Sequence, residues 1–305
     1  MSYTWRRVKQ YRGMYLFLIP AVVTTLLFRY KPMFGLVMAF QDFSIENGYF
    51  SSPFVGLKHF TTFLSNPQFY SSLRNTLGLS TLSLIFNFPV PIIFALLLNE
   101  IKLIKFKRVT QTVSYLPHFI SWIVVSTMVV RLLDVNLGIV NNMIALFGGT
   151  RVPFMREPRY FWQVVIVAYI WKEMGWNSII YLAALSGVDQ EMYEAAMIDG
   201  ANRFKTLLYI TIPAIAPTIA LLFVLDVGNL INASGSGLFD AVYNLQNPLV
   251  AERAYIIEMY AYYEGIIYKR YSYAAAVNLA QSAVSLGLVL GSNGLYKKIT
   301  GNSVY

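Results

Sequence analysis

The sequence predicts an all-α, multi-pass membrane protein with six transmembrane helices. Three observations point there. Hydrophobic residues fill 56% of the 305 positions, and the mean hydropathy is +0.52. Charged residues fill only 13%, against roughly 25% in soluble domains, which excludes a soluble enzyme. Apolar runs close to the roughly 20 residues that cross a bilayer recur along the chain, with basic residues gathered at their ends. The net charge of +9 therefore reads as membrane topology rather than nucleic-acid binding. With no cysteine, disulfides, thiolate metal sites and cysteine nucleophiles are excluded. Two histidines, His59 and His118, are too few for a histidine-based metal site.

The chain opens with a basic stretch followed by an apolar one, the order of a signal peptide. No small-x-small cleavage site follows, so the expectation is a cytoplasmic segment over 1–13 and an uncleaved first span. A single transmembrane domain is expected over 14–305, with its core at about 72–298. The first span runs from about Met14 to Phe40 and is interrupted by Arg29, Tyr30, Lys31 and Pro32, where it is expected to leave the hydrocarbon or line a polar interior. The second runs from about Thr76 to Leu98, and Pro89 and Pro91 predict a kink. The third covers about Val109 to Leu133, the fourth about Tyr160 to Leu185, the fifth about Ile212 to Ile231 and the sixth about Tyr273 to Tyr296.

Six spans put both termini on one side, and basic residues choose the side. Arg6, Arg7, Lys9 and Arg12 precede the first span. Lys102, Lys105, Lys107 and Arg108 crowd the short loop between the second and third. Arg203, Lys205, Lys297 and Lys298 fall on the same side. Density in short loops orients a chain, so the termini are expected in the cytoplasm. The opposite loops, about Gln41 to Asn75, Asp134 to Arg159 and Asn232 to Tyr271, are long and rich in aromatics. Those aromatics suit an interfacial belt or a docking surface for an extracytoplasmic protein.

One polar interval, Asp189 to Pro213, reads as helix, glycine turn, helix. Asp189 can cap a helix start, and Glu191 and Glu194 sit near its positive end. Ala195, Ala196 and Met197 are good helix formers. Gly200 breaks the run where a left-handed residue is needed. Arg203 and Lys205 open a second short helix, and Pro213 falls near the start of the next span. Periodicity alone makes this an ordinary amphipathic loop between two spans.

Several polar residues lie inside spans. Trp171, Glu173, Trp176 and Asn177 share the fourth. Asp226 and Asn229 share a face of the fifth, and Asn278 and Gln281 a face of the sixth. Glu173 directly follows Lys172, so the two point about 100° apart on a helix and need not pair. Each polar group either faces an interior pathway or bonds between helices. Aromatic rings beside carboxylate and amide groups suit a sugar, which offers apolar faces and hydroxyls.

The spacing of the polar interval carries more. Glu194-Ala195-Ala196, three residues, Gly200, nine residues and Ile210-x-Ile212-Pro213 resembles the EAA motif of binding-protein-dependent ABC importer permeases, with Ile212 where the family has leucine. Asp199 and Ala201 also match its usual D-G-A. The segments FRYKPMFGLVMAFQDF, SYLPHFISWIVV, IWKEMGWNSIIYLAALSGV and YNLQNPLV resemble the carbohydrate-uptake branch, nearest to permeases for alginate, rhamnogalacturonan or host-glycan oligosaccharides. The resemblance covers nearly the whole chain. It implies the type I (MetI-like) importer fold in a bacterial inner membrane. It also implies a coupling loop over 187–211, with Glu194, Ala195, Ala196, Asp199, Gly200 and Ala201 docked on a separate ATPase. The implied partners are a second homologous permease, two ABC ATPase subunits, an extracytoplasmic sugar-binding protein and membrane lipid, with no nucleic acid. This chain has no G-x-x-x-x-G-K-[ST] loop, so no cofactor is expected on it, ATP and magnesium residing on the ATPase. Two alternatives remain from the residues: an ion-coupled secondary transporter using Glu173 and Asp226, or an importer of a non-sugar solute.

Overall fold

The computed structural model describes residues 10–301. Arg6, Arg7 and Lys9, together with most of the expected 1–13 segment and the last four residues, lie outside the described residues. Everything described is helix, turn or loop, apart from one isolated bridge between Gln41 and Phe54. The chain divides into two compact units. One comprises the residues up to Ser65 together with Ala261–Ala280. The other comprises Asn66–Tyr260 and the chain from Gln281.

In the smaller unit, helix α1 (Arg12–Thr25) has no buried residue. It does not stop at the charged tetrad. A π-helical turn, Leu26–Tyr30, carries it on to Lys31–Met33 and a 3-10 segment, Phe34–Phe40. Pro32 explains the widened turn: it lacks an N–H, and its ring would press on the carbonyl four residues back. Beyond it, the Asp42 carboxylate takes Lys58 at 2.6 Å and His59 at 3.1 Å. The Lys58 hydrogen bond holds Asp42 below the usual carboxylate range.

The larger unit is built around α6 (Phe161–Ser186). Its 26 residues are long enough to span a bilayer. Its buried positions include Phe161, Val164, Val165, Ala168, Lys172, Gly175, Ser178, Tyr181 and Leu185, a stripe at helical spacing. Around it pack α2 (Pro67–Phe86), α3 (Pro89–Glu100), α4 (Ile104–Tyr115) and α8 (Ile212–Gly228). Asn66 caps α2 by accepting the Gln68 N–H at 2.9 Å, with Pro67 at the first helical position. Asn87 and Phe88 break the helix before Pro89, at the kink the prolines predict. A long last helix, α9 (Tyr271–Thr300), runs through both units.

Two sequence expectations change. The third span, expected as one run over about 109–133, is broken: α4 continues to Phe119, and α5 (Trp122–Leu132) leaves it at 100°. Pro117 terminates the α-helical geometry, and Ile120 and Ser121 are extended. Length and apolarity then mark four spanning stretches, Arg12–Phe40, Pro67–Glu100, Arg203–Ile231 and Tyr271–Lys298, or five with the bent pair. The expected fourth span, α6, falls outside the set, because Lys172, Glu173 and Asn177 lower its hydropathy. Lys172 and Glu173 are packed against neighbouring helices, while Asn177 is half-buried.

Close approach of α4 to α6 depends on Gly175. A Cβ there would overlap the Ser114 backbone carbonyl. Gly175→Ala is therefore expected to cost about 1–3 kcal/mol, as overpacking does, lowering the thermal midpoint in detergent. Gly287→Ala on α9, with nothing within 4 Å of the added carbon, should leave the midpoint unchanged or raise it.

Candidate functional site

The polar interval forms a doubly capped turn. Asp189 Oδ1 accepts the Glu191 N–H at 3.0 Å and starts α7 (Gln190–Ile198). Gly200 ends it at φ +73°. The Ala201 N–H returns to the Ala196 carbonyl at 2.9 Å, and the Gly200 N–H to that of Met197 at 3.1 Å. These are the two chain-reversing bonds of a Schellman motif, which needs a left-handed residue at the glycine position. Asn202 Oδ1 then accepts the Lys205 N–H at 2.9 Å.

The second helix is not separate. Arg203–Thr206 continues through a π-helical turn, Leu207–Thr211, into α8. Pro213 follows that turn at the same offset as Pro32 follows the first, for the same reason. The loop is fixed to the bundle by two contacts. Ala196 is buried, and Tyr193 packs on the cluster of Ala95, Tyr181, Leu185, Val188 and Ile215. The Tyr193 hydroxyl also lies 3.3 Å from Thr211 Oγ1. Glu194, Ala195, Asp199 and Gly200 are exposed, as are Met197 at 67%, Ile198 at 88% and Phe204 at 67%.

A second feature lies inside the larger unit. A cavity of about 240 Å³ is lined by α2, α3, α6, α8 and the segment after α8. It gathers Asn177, Asp226 and Asn229, three of the polar residues singled out by the sequence. It also contains groups the sequence reading missed: Ser80 and Ser83 on α2, Asn87 at its end, and Tyr169 and Tyr181 on α6. The α2 stripe has helical spacing, so its signal was present, but in a span read only for apolarity. Tyr169 donates to the Ser236 carbonyl at 2.6 Å and thereby fixes the loop that closes one wall.

The other predicted residues lie elsewhere. Glu173 pairs with Lys172 at 3.1 Å, a contact the helical angle left open. His118 joins the two. Its Nδ1–H donates to Glu173 Oε2 at 2.6 Å, and its carbonyl accepts from Lys172 Nζ at 2.5 Å. Both long side chains thus converge on the break between α4 and α5. Trp176 stacks on the His118 ring at 4.2 Å and 1°. Trp171 borders a separate apolar groove with Met128, Leu132, Val164 and Val167. Gln281 is buried, donating to Glu258 Oε1 at 2.7 Å and to the Ile231 carbonyl. Glu258 also accepts the Ala233 N–H at 2.5 Å, and burial pushes its carboxyl above the usual range. Asn278 is exposed on α9. Among the described residues, no group of three or more His, Cys, Asp or Glu could hold a metal ion.

The larger unit thus combines an exposed, apolar-tipped loop with a cavity lined by polar and aromatic side chains. Residues 87–277 match the family of binding-protein-dependent transport system inner membrane components. The chain belongs to this family. The permease is a multi-pass inner-membrane protein. It is 41% identical, over 97% of its length and 91% of the relative's, to the polygalacturonan/rhamnogalacturonan transport system permease protein YteP of Bacillus subtilis. It is 33% identical, over 89% of its length and 84% of the relative's, to the arabinooligosaccharides transport system permease protein AraP of the same organism. Its fold matches a chain of a bacterial ABC transporter involved in the import of the acidic polysaccharide alginate. There the TM-score is 0.87 and the identity 38%, with 98% of this chain and 100% of that one covered. A second structure of a bacterial alginate ABC transporter, at the same TM-score, is in complex with an alginate pentasaccharide-bound periplasmic protein.

Glu173→Ala would strip Lys172, only 4% exposed, of its carboxylate. Breaking a buried pair costs roughly 3–5 kcal/mol. The expected result is a large fall in the thermal midpoint of the detergent-solubilised permease, with Glu173→Gln intermediate because it keeps a hydrogen bond to His118.

Proposed function

We propose that the permease is one of two membrane-spanning subunits of an ATP-driven importer, and that it passes an oligosaccharide delivered by an extracytoplasmic binding protein. The observation that carries the proposal is the loop Asp189–Thr211. It is capped at both turns, anchored through Tyr193, and presents Glu194, Met197, Ile198 and Gly200 outward. Apolar side chains so exposed on a rigid turn suit a protein partner. Here the partner is an ATPase subunit, with Glu194 meeting a basic group and Ala195, Ala196, Asp199 and Ala201 completing the docked turn.

In this reading the chain crosses the membrane six times, α6 being the polar, shielded span. Both termini and the loop face the cytoplasm. ATP binding closes two ATPase subunits, and the loops of this chain and of a second, homologous permease move with them. The paired spans swing from inward-open to outward-open, the binding protein releases its sugar, and hydrolysis resets the assembly. ATP and magnesium belong to the ATPases. Asn177, Asp226 and Asn229 contribute to the pathway, and the cargoes of the relatives YteP and AraP support an oligosaccharide. An ion-coupled secondary transporter would use Glu173 and Asp226 as coupling carboxylates; Glu173 is held by Lys172 and His118, which leaves Asp226 alone for that role.

A pull-down of the tagged chain tests the proposal. The wild type should bring down an ATPase and a second permease, and Glu194→Lys with Gly200→Pro should lose the ATPase while keeping the second permease. Recovery of this chain alone in both forms would restore the secondary-transporter reading.

A further inference from the structure

The cavity has a chemical character that the oligosaccharide reading leaves open. None of its lining residues is lysine, arginine or histidine. One, Asp226, is acidic, and among the described residues its carboxylate forms no ion pair. The buried ammonium on the same wall helix, Lys172, is already held by Glu173 and the His118 carbonyl.

The lining also contains unmet hydrogen-bonding capacity. Ser80 and Asn87 are at least nine-tenths buried, at 5% and 9% exposed. The Asn87 amide donates to Ser83 Oγ at 2.7 Å, but among the described residues its Oδ1 has no partner, and neither has Ser80 Oγ. Buried polar atoms are seldom left so. Asn87 Oδ1 and the Asp226 carboxylate are both acceptors, and what satisfies an acceptor is a donor. Sugar hydroxyls donate. A uronate carboxylate only accepts, and it would bring a negative charge beside Asp226 with no cation to offset it.

We infer that this cavity binds a neutral sugar unit, a hydroxyl donating to Asp226, and that Asp226 discriminates against uronate units. The inference rests on the oligosaccharide-importer reading and narrows its cargo. At about 240 Å³ the cavity lies below the roughly 300–1,000 Å³ of drug-sized sites, so it takes one residue of a longer chain. The aromatic walls, Tyr169, Tyr181 and Phe88, offer rings for the apolar face of a pyranose.

The test uses the detergent-solubilised importer without its binding protein, and two probes that differ only at C6: a neutral galactose trisaccharide and its galacturonate counterpart. Calorimetric affinities for the wild type should favour the neutral sugar by about tenfold or more, the scale at which like charges discriminate. Asp226→Asn should remove most of that preference, and Asp226→Lys should reverse it. The ratio of two affinities on one preparation does not depend on how much of a variant folds. Equal affinities in the wild type, or a ratio indifferent to Asp226, overturns the inference and leaves the importer reading standing. If neither sugar binds, the inference falls, while co-purification with an ATPase still decides the importer reading separately.

Discussion

The bond from the Lys172 ammonium to the His118 carbonyl organises the larger unit. A bilayer offers no water to a carbonyl left open where a helix breaks. The bend between α4 and α5 exposes such a carbonyl, and Lys172 reaches it at 2.5 Å. A buried ammonium in turn needs a counter-charge, and Glu173 supplies one at 3.1 Å. Glu173 then takes the His118 Nδ1–H, and the His118 ring is clamped flat against Trp176. Each group in this set answers a cost created by the one before it. The result is a 100° bend held against the helix that also walls the cavity.

Two lesser breaks follow a different rule. The π-helical turns at Leu26–Tyr30 and Leu207–Thr211 each end two residues before a proline, Pro32 and Pro213. A widened turn absorbs the ring without leaving the helix, so charged or polar residues pass through without a loop. That is why Arg29 and Lys31 did not end the first span, and why Arg203 and Lys205 continue into α8 instead of forming a separate helix.

How much was legible follows from how local each feature is. The first turn of the loop was legible residue by residue, because Asp189 and Gly200 act on backbone groups two or three positions from themselves, whereas the Asn202 cap was not read. The spans were legible as apolarity, except where α6 trades apolarity for burial. The Lys172–Glu173 pair was left undecided because the angle between neighbours on a helix ignores what lies between their tips. The group that unites them is 55 residues away from Glu173. The cavity was half legible. Asp226, Asn229 and Asn177 stand out as polar residues in apolar runs. Ser80, Ser83 and Tyr169 are ordinary within a span until the helices that pack around them are known.

The loop and the cavity are not independent features. Tyr193 of the loop packs on a cluster that contains Tyr181 and has Leu222 at its edge, and both of these side chains also line the cavity. The Tyr193 hydroxyl meets Thr211, the last residue of the π-helical turn that leads into α8, which carries Asp226. A displacement of α7 therefore reaches the cavity by two packed routes, one through α6 and one along α8. Close-packed interiors transmit such displacements rather than absorb them. The soft element on the second route is the π-helical turn, where the hydrogen-bond ladder is already irregular. Under the proposed importer reading, the Tyr193 contact is the input and the π-helical turn before Pro213 the link to α8.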